Sequence, residues 1–284
     1  MGDPSIQIDT KIAQENMMNR EPSEADTQNE QYDDASKSAA KDSKEPKRKK
    51  RSRETTDPDI IPTVGYAEIY PDTPTPTLTK PHGSEATSYR QIIESLRAIT
   101  SGDILLVIGA KPTTESAEVA LNLAISSTRA GLKTVLVDAD TTGDGVTQYL
   151  RTGQGPGLAE LASGSADLKN ASRLLTVGNG NNLPVIPTGR DLNIAPLGSI
   201  ALASAIDLMI EHSNLIFIGV PHNIQDDQLV ALGAHADGSV LIVTPRGSKK
   251  SRRKAAIRMS DAGAPIVGII EQATVGRRKR RYSG

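Results

Sequence analysis

The stretch VIGAKPTTESAEVALNLA, residues 107–124, runs from an apolar strand pattern through a polar turn into an amphipathic helix pattern. That is the outline of a phosphate-binding loop. Its signature, G-x-x-x-x-G-K-[ST], places backbone N–H groups and a lysine around phosphates and a hydroxyl on Mg²⁺. Aligned on that signature, the loop is Ala110, Lys111, Pro112, Thr113, Thr114, Glu115, Ser116 and Ala117. Glu115 takes the place of the glycine that lets backbone wrap closely round a phosphate. Ser116 takes that of the lysine, and Ala117 that of the Mg²⁺ hydroxyl. A carboxylate facing a triphosphate also adds repulsion, which a low-dielectric pocket magnifies. The strand–turn–helix outline is kept while the phosphate chemistry is not.

Outward from this loop, apolar runs recur at 104–109, 134–140, 183–187, 214–221, 239–245 and 265–270. They are continuous and not alternating, as expected of strands covered on both faces. Helix patterns occupy 86–100, 116–130, 157–163, 198–212, 226–235 and 249–262. Strands alternating with helices predict a mostly parallel sheet with right-handed crossovers, an α/β three-layer domain. In such sheets ligands sit at the carboxyl ends of the strands. That edge would carry the 109–117 turn, Asp138 and Asp140 after the second run, and Gly219 to His222 after the fourth. Asp138 and Asp140 fit capping of the following turn, with a role at this ligand edge equally open; Lys111 reads most simply as a solvated loop residue.

The first 83 residues carry few large aliphatic residues and most of the 17 prolines, too little apolar material to offset the entropy of ordering. They read as a long disordered N-terminal tail ending in a Pro-rich linker. The folded domain is expected at 84–272, followed by a basic tail at 273–284. There is no Cys, which excludes disulfides and thiolate chemistry. The four His, at 82, 212, 222 and 235, lack metal-ligand spacing, so no metal site is expected. No apolar run reaches the ~18 residues of a spanning helix, and Met1 is followed by polar residues, so a cytoplasmic chain is expected.

Net charge is −1, which hides segregation. KRKKRSR occupies 47–53, Lys249, Lys250, Arg252, Arg253 and Lys254 open the helix at 249–262, and Arg277, Arg278, Lys279, Arg280 and Arg281 lie near the C-terminus. The last two clusters are candidate contacts for an anionic surface, either lipid headgroups or nucleic acid, with solvated tails as the plain reading.

Several stretches together resemble a family. GAKPTTESAEVALNLAISSTRAGLKTVLVDADTTGD is similar to the first phosphate loop and second-strand acidic motif of the cytoplasmic bacterial tyrosine kinases (BY-kinases) of capsule and exopolysaccharide synthesis, within the MinD/ParA-like P-loop class. SEATSYRQIIESLRA, GPGLAELASG, VIPTGR, ADGSVLIVTP and GAPIVGII match further segments in order, over about 84–272. The resemblance implies a P-loop NTPase-like fold, acids around Mg²⁺ at Asp138 and Asp140, a signature lysine at Lys111, an aspartate where Gly219 stands, and an asparagine after the last strand where Gln272 stands. It also implies a membrane-embedded polysaccharide co-polymerase or adaptor as partner, self-association, and a position at the inner membrane. A tyrosine cluster at the C-terminus would accompany an autokinase; Tyr282 stands alone.

Three functions follow. The leading one is a catalytically degenerate regulatory or scaffolding partner in polysaccharide assembly, with no catalytic residue and no cofactor, Asp138 and Asp140 being vestigial. The second is an active, deviant ATPase or tyrosine autokinase that would use Mg·ATP with Lys111, Asp138 and Asp140. The third is a ParA/MinD-like positioning protein that grips nucleic acid or membrane; against nucleic acid stands the lack of interleaved aromatics for base stacking.

Overall fold

In the computed structural model the described residues are 61, 63–69, 75–111, 116–142, 145–152, 155–178, 180–190, 200–245 and 247–274. In chain order the elements are β1 (Thr63–Ile69), α1 (Pro76–Thr79), α2 (Ser84–Ile99), β2 (Ile104–Gly109), α3 (Ser116–Arg129), β3 (Thr134–Asp138), α4 (Val146–Leu150), α5 (Leu158–Ala162) and α6 (Leu168–Ala171). They continue with β4 (Arg173–Gly178), β5 (Asn181–Ile186), α7 (Ile200–Ile210), β6 (Leu215–Val220), α8 (Asp226–Gly233), β7 (Gly238–Val243), α9 (Lys249–Asp261) and β8 (Ile266–Thr274). The eight strands form one sheet in the order β1-β8-β7-β2-β6-β3-β5-β4, parallel throughout except for the β4–β5 pair.

Alternate residues of each central strand feed two separate cores, which is why those strands read as unbroken apolar runs. Leu105, Val107, Leu136 and Phe217 face α2 and α3, meeting Tyr89, Ile92, Leu96 and Leu121. Ile104, Leu106, Val137 and Ile218 face the other way, toward Leu158 of α5, Ile206 of α7, Leu229 of α8 and Met259 of α9. The three-layer α/β architecture expected from the sequence is the one observed.

Three features differ from the sequence reading. The boundary at residue 84 falls inside the folded unit, because β1 pairs with β8 in parallel from Thr63↔Ile269 to Ile69↔Thr274. Val64 of β1 is buried against α2, and the buried α1 residue Thr77 donates from N and Oγ1 to Asn122 Oδ1 at 3.2 and 2.5 Å. Residues 1–60, including the basic run at 47–53, lie outside the described residues. Second, that pairing carries β8 on to Thr274, so Gln272 sits buried inside the last strand, opposite Ala67, and not after it. Third, α4, α6 and the edge strand β4 have no counterpart in the sequence reading. β4 shows half-exposed alternation, with Leu174 and Thr176 outward and Leu175 and Val177 inward, and α6 is a single turn capped by Asp167, which accepts from Asn170 N at 2.7 Å.

Candidate functional site

The carboxyl edge of the sheet gathers the residues that the sequence singles out. Ala110 prolongs β2, its N–H donating to Ile242 O of β7 at 2.9 Å, and Lys111 follows it. Pro112, Thr113, Thr114 and Glu115 lie outside the described residues. The loop returns at Ser116, the first residue of α3, whose hydroxyl donates to Val220 O at the end of β6 (3.1 Å). Ala117 packs against the apolar core on the α3 face. Gly219 stands one residue earlier on β6, and a Cβ there would rest in ordinary contact with Val146 Cγ2 at 3.6 Å and Ala120 Cβ at 3.7 Å.

Asp138 ends β3 and is 1% exposed. Its Oδ2 accepts from Thr147 N at 2.7 Å and Thr147 Oγ1 at 2.6 Å, and its Oδ1 from Asp140 N at 3.0 Å. The carboxylate therefore anchors the first turn of α4. Only a glycine permits this approach: a Cβ on Gly145 would stand 2.3 Å from Asp138 Oδ1. Burial pushes the Asp138 carboxyl up to about 6, against the opposing pull of the Thr147 and Asp140 hydrogen bonds and with a smaller push from the Asp140 charge. Asp140 accepts from Thr142 N at 2.7 Å and Thr142 Oγ1 at 2.5 Å, closing an Asx turn. Both acids thus hold turns.

The segments GPGLAELASG and VIPTGR are brought together beside them. Leu158 N donates to Pro187 O at 2.8 Å and Ala159 N to Thr188 O at 3.1 Å, an approach so close that a Cβ on Gly157 would stand 2.2 Å from Pro187 O. Glu160 clamps both strands of this seam, accepting from Gly157 N through Oε2 and from Arg190 N through Oε1, each at 2.9 Å. Thr188 Oγ1 then donates to Asp140 O at 3.0 Å, joining the seam to the acidic loop. Sequence reasoning missed Thr147, Glu160 and Thr188; the one signal pointing to them was the glycine spacing around them.

A groove of about 830 Å³ lies on the same edge between α8 and α9, bordered by Lys111, His222, Val230, Lys254 and Ile257. The cations of α9 divide by side. Arg252 turns inward, donating to Thr244 O at 3.3 Å and pairing with Glu271 Oε1 at 3.2 Å, which corrects its place among the surface contacts. Arg258 likewise pairs with Asp226 Oδ1 at 2.7 Å. Lys249, Lys250, Arg253 and Lys254 are exposed and make no ion pair among the described residues. Arg277, Arg278, Lys279, Arg280 and Arg281 lie outside the described residues. Also among the described residues, no group of three or more His, Asp or Glu is poised to hold a metal, and no helix is long and apolar enough to cross a membrane.

Compared with known proteins, the chain is 32% identical over 156 residues to the tyrosine-protein kinase CpsD of Streptococcus agalactiae serotype III, a match covering 52% of this chain and 65% of the relative. The chain thus spans just under two thirds of that relative's length. The kinase domain of Escherichia coli tyrosine kinase ETK superposes with a TM-score of 0.61 at 20% identity, over 79% of this chain and 94% of that one. The chain is BY-kinase-like. The BceF tyrosine kinase domain shares the fold as well, with a TM-score of 0.63 at 20% identity over 75% of this chain and 93% of that one. No family model matches the BY-kinase-like chain.

Proposed function

We propose that this chain is a catalytically degenerate, BY-kinase-like P-loop protein that serves as a regulatory or scaffolding partner in capsular or exopolysaccharide assembly at the inner face of the membrane. The observation that carries this reading is the start of α3, where a working loop needs a lysine and a Mg²⁺ hydroxyl. Ser116 there binds the Val220 carbonyl, and Ala117, half-buried, packs against the core. Mg·ATP does not fit this donor set. The neighbouring wall offers Val146 and Ala120 beside Gly219, and the surviving buried acid, Asp138, already accepts hydrogen bonds on both oxygens.

A charge-assisted hydrogen bond to phosphate is worth about 1.5–3 kcal/mol, so the absence of two weakens nucleotide affinity by about two to four decades. Titration calorimetry of the full chain with Mg·ATP is expected to show no micromolar binding. A micromolar Kd would transfer the chain to the reading of a deviant ATPase or autokinase built on Lys111, Asp138 and Asp140.

The partner in this reading is a membrane-embedded co-polymerase or its adaptor, and anionic lipid adds to the attachment. Support comes from the outward Lys249, Lys250, Arg253 and Lys254 of α9. Each is worth about 1 kcal/mol at an anionic leaflet, screened over a Debye length. The helix, KKSRRKAAIRMSD, has no aromatic side chain on which a base would stack, which favours lipid over nucleic acid. Co-sedimentation with anionic vesicles, compared with retention by duplex DNA, tests this; DNA retention without vesicle binding would assign the surface to the ParA-like alternative.

A further inference from the structure

α7 reads IALASAIDLMI, with one charged residue, Asp207, so apolar residues occupy its whole circumference, the composition of a helix covered on every side. Yet Leu208 is 42% exposed. Across from it, Leu174 of the edge strand β4 is 57% exposed, the most exposed large aliphatic side chain among the described residues. Both border one groove of about 810 Å³, which lies where the helix layer on the α7 side stops short of β5 and β4. Leu132, Val135, Leu168, Pro184 and Ile186 complete its apolar lining. The volume is in the range of small-molecule sites, about 300–1,000 Å³.

Charge stands at the rim. Lys133 and His212, both exposed, border the groove at the amino edge of the sheet, brought to one place by the hydrogen bond from Asn214 N to Lys133 O at 2.7 Å. Lys169 of α6 borders it too. Neither lysine makes an ion pair among the described residues. The one carboxylate on the rim, Asp167, is engaged in capping α6, accepting from Asn170 N at 2.7 Å and Asn170 Nδ2 at 3.2 Å.

We propose that this groove binds an anionic amphiphile: a single acyl chain lies against Leu174, Pro184 and Leu208, and a carboxylate or phosphate head sits at Lys133 and His212. The site is at the opposite edge of the sheet from the degenerate loop and stands whether or not nucleotide binds there. Burying a chain in the groove covers two exposed leucines that nothing in the described chain covers, and the head meets Lys133, which has no counter-charge among the described residues.

The test uses the full chain, titrated with a fluorescent dansyl undecanoic acid and then challenged with unlabelled saturated fatty acids of ten, twelve and fourteen carbons below their micelle concentrations. Saturable displacement is expected, tightening about three- to fourfold per added methylene. Leu208→Asp and, separately, Leu174→Asp, the latter at an exposed edge where folding survives, should each weaken it tenfold or more. Lys133→Glu should weaken the fatty acid while sparing an alkyl trimethylammonium of equal length; equal weakening of both would overturn the assignment of the head. Monoalkyl phosphates of equal chain length distinguish the two head chemistries: tighter displacement than by the fatty acid assigns a phosphate head, weaker displacement a carboxylate. No saturable binding, no dependence on chain length, or indifference to both leucine variants would overturn the proposal. So would binding to anionic vesicles without displacement by monomeric fatty acid, which would mean a lamellar surface, or a concentration-dependent dimer abolished in Leu174→Asp, which would assign the groove to a second copy of the chain.

Discussion

At the carboxyl edge of the sheet, Asp138, Asp140, Thr147 and Thr188 answer one another through hydrogen bonds of 2.6–3.4 Å, and Glu160 clamps the adjoining seam through Gly157 N and Arg190 N. At the amino edge Leu174 and Leu208 stand exposed beside Lys133 and Lys169. Around the recognisable motif the polar groups are turned on themselves. The opposite edge, like the α8–α9 groove with its exposed Val230, Ile257 and Lys254, leaves apolar surface and charge uncovered. A buried carboxylate that accepts three hydrogen bonds from its own chain is a structural tie, and removing it costs more than removing a solvated charge. Exposed aliphatics beside unpaired lysines mark a surface built for contact.

Both edges belong to one complete sheet, and the largest effect should come from stripping its far side. A chain beginning at Ser84 lacks β1 and α1, so it loses the burial of Val64, Pro76 and Thr77 and leaves the fully buried Asn122 Oδ1 without its two donors. A loss of about 4 kcal/mol is expected, seen as a lower urea midpoint than that of the full chain. Equal midpoints would mean that β1 adds nothing to β8.

Asp138→Ala probes the tie itself. Thr147 N, Thr147 Oγ1 and Asp140 N would lose their acceptor in a buried site, at an expected cost of about 2–4 kcal/mol. A change under about 0.5 kcal/mol would describe a solvated acid and erase the contrast between the edges.

The same carboxyl gives a pH signature with a definite sign. Its folded value, about 6, is above the unfolded 3.8, so between these the folded state binds more protons than the unfolded state. Stability from this group is therefore greatest below pH 4 and falls as pH rises to about 6, by about 3 kcal/mol in all. Asp138→Asn should flatten that segment of the stability–pH curve. A wild-type curve rising across the same window, with the difference from Asp138→Asn likewise rising, would show that the hydrogen bonds outweigh burial.

How far the sequence reveals this molecule depends on what each segment is asked to do. ILLVIG reads correctly as residues 104–109 because both its faces are buried and its apolar run is short and bounded by polar and glycine residues, as a central strand's is. RLLTVG escapes because an edge strand needs one apolar face only, and TVGYAEI because its pairing partner lies some 200 residues away. The site divides similarly. That Asp138 and the 110–117 loop share an edge follows from strand order. That Thr147 would saturate Asp138 does not, since it depends on how closely Gly145 lets α4 approach. The sidedness of α9 was not legible: Arg252 precedes the buried Ala256 by one helical turn and Arg253 the exposed Ile257, the reverse of what the larger apolar side chain suggests.

That sidedness yields the smallest expected effect and the sharpest separation of tie from contact surface. Arg252 pairs with Glu271 at 3.2 Å, with about a quarter of its side chain exposed, while Lys254, two residues on, pairs with nothing in the described chain. Arg252→Gln should cost about 0.5–1 kcal/mol, near the upper end for a partly solvated pair, and leave anionic-vesicle binding within about twofold. Lys254→Gln should leave the urea midpoint unchanged while weakening vesicle binding by about fivefold, the worth of one basic residue near an anionic leaflet. The two variants remove the same charge from the same helix, so net charge is held constant between them. Equal loss of vesicle binding in both would mean that the lipid senses only total charge, and the division of α9 into an inward tie and an outward contact would then have no functional meaning.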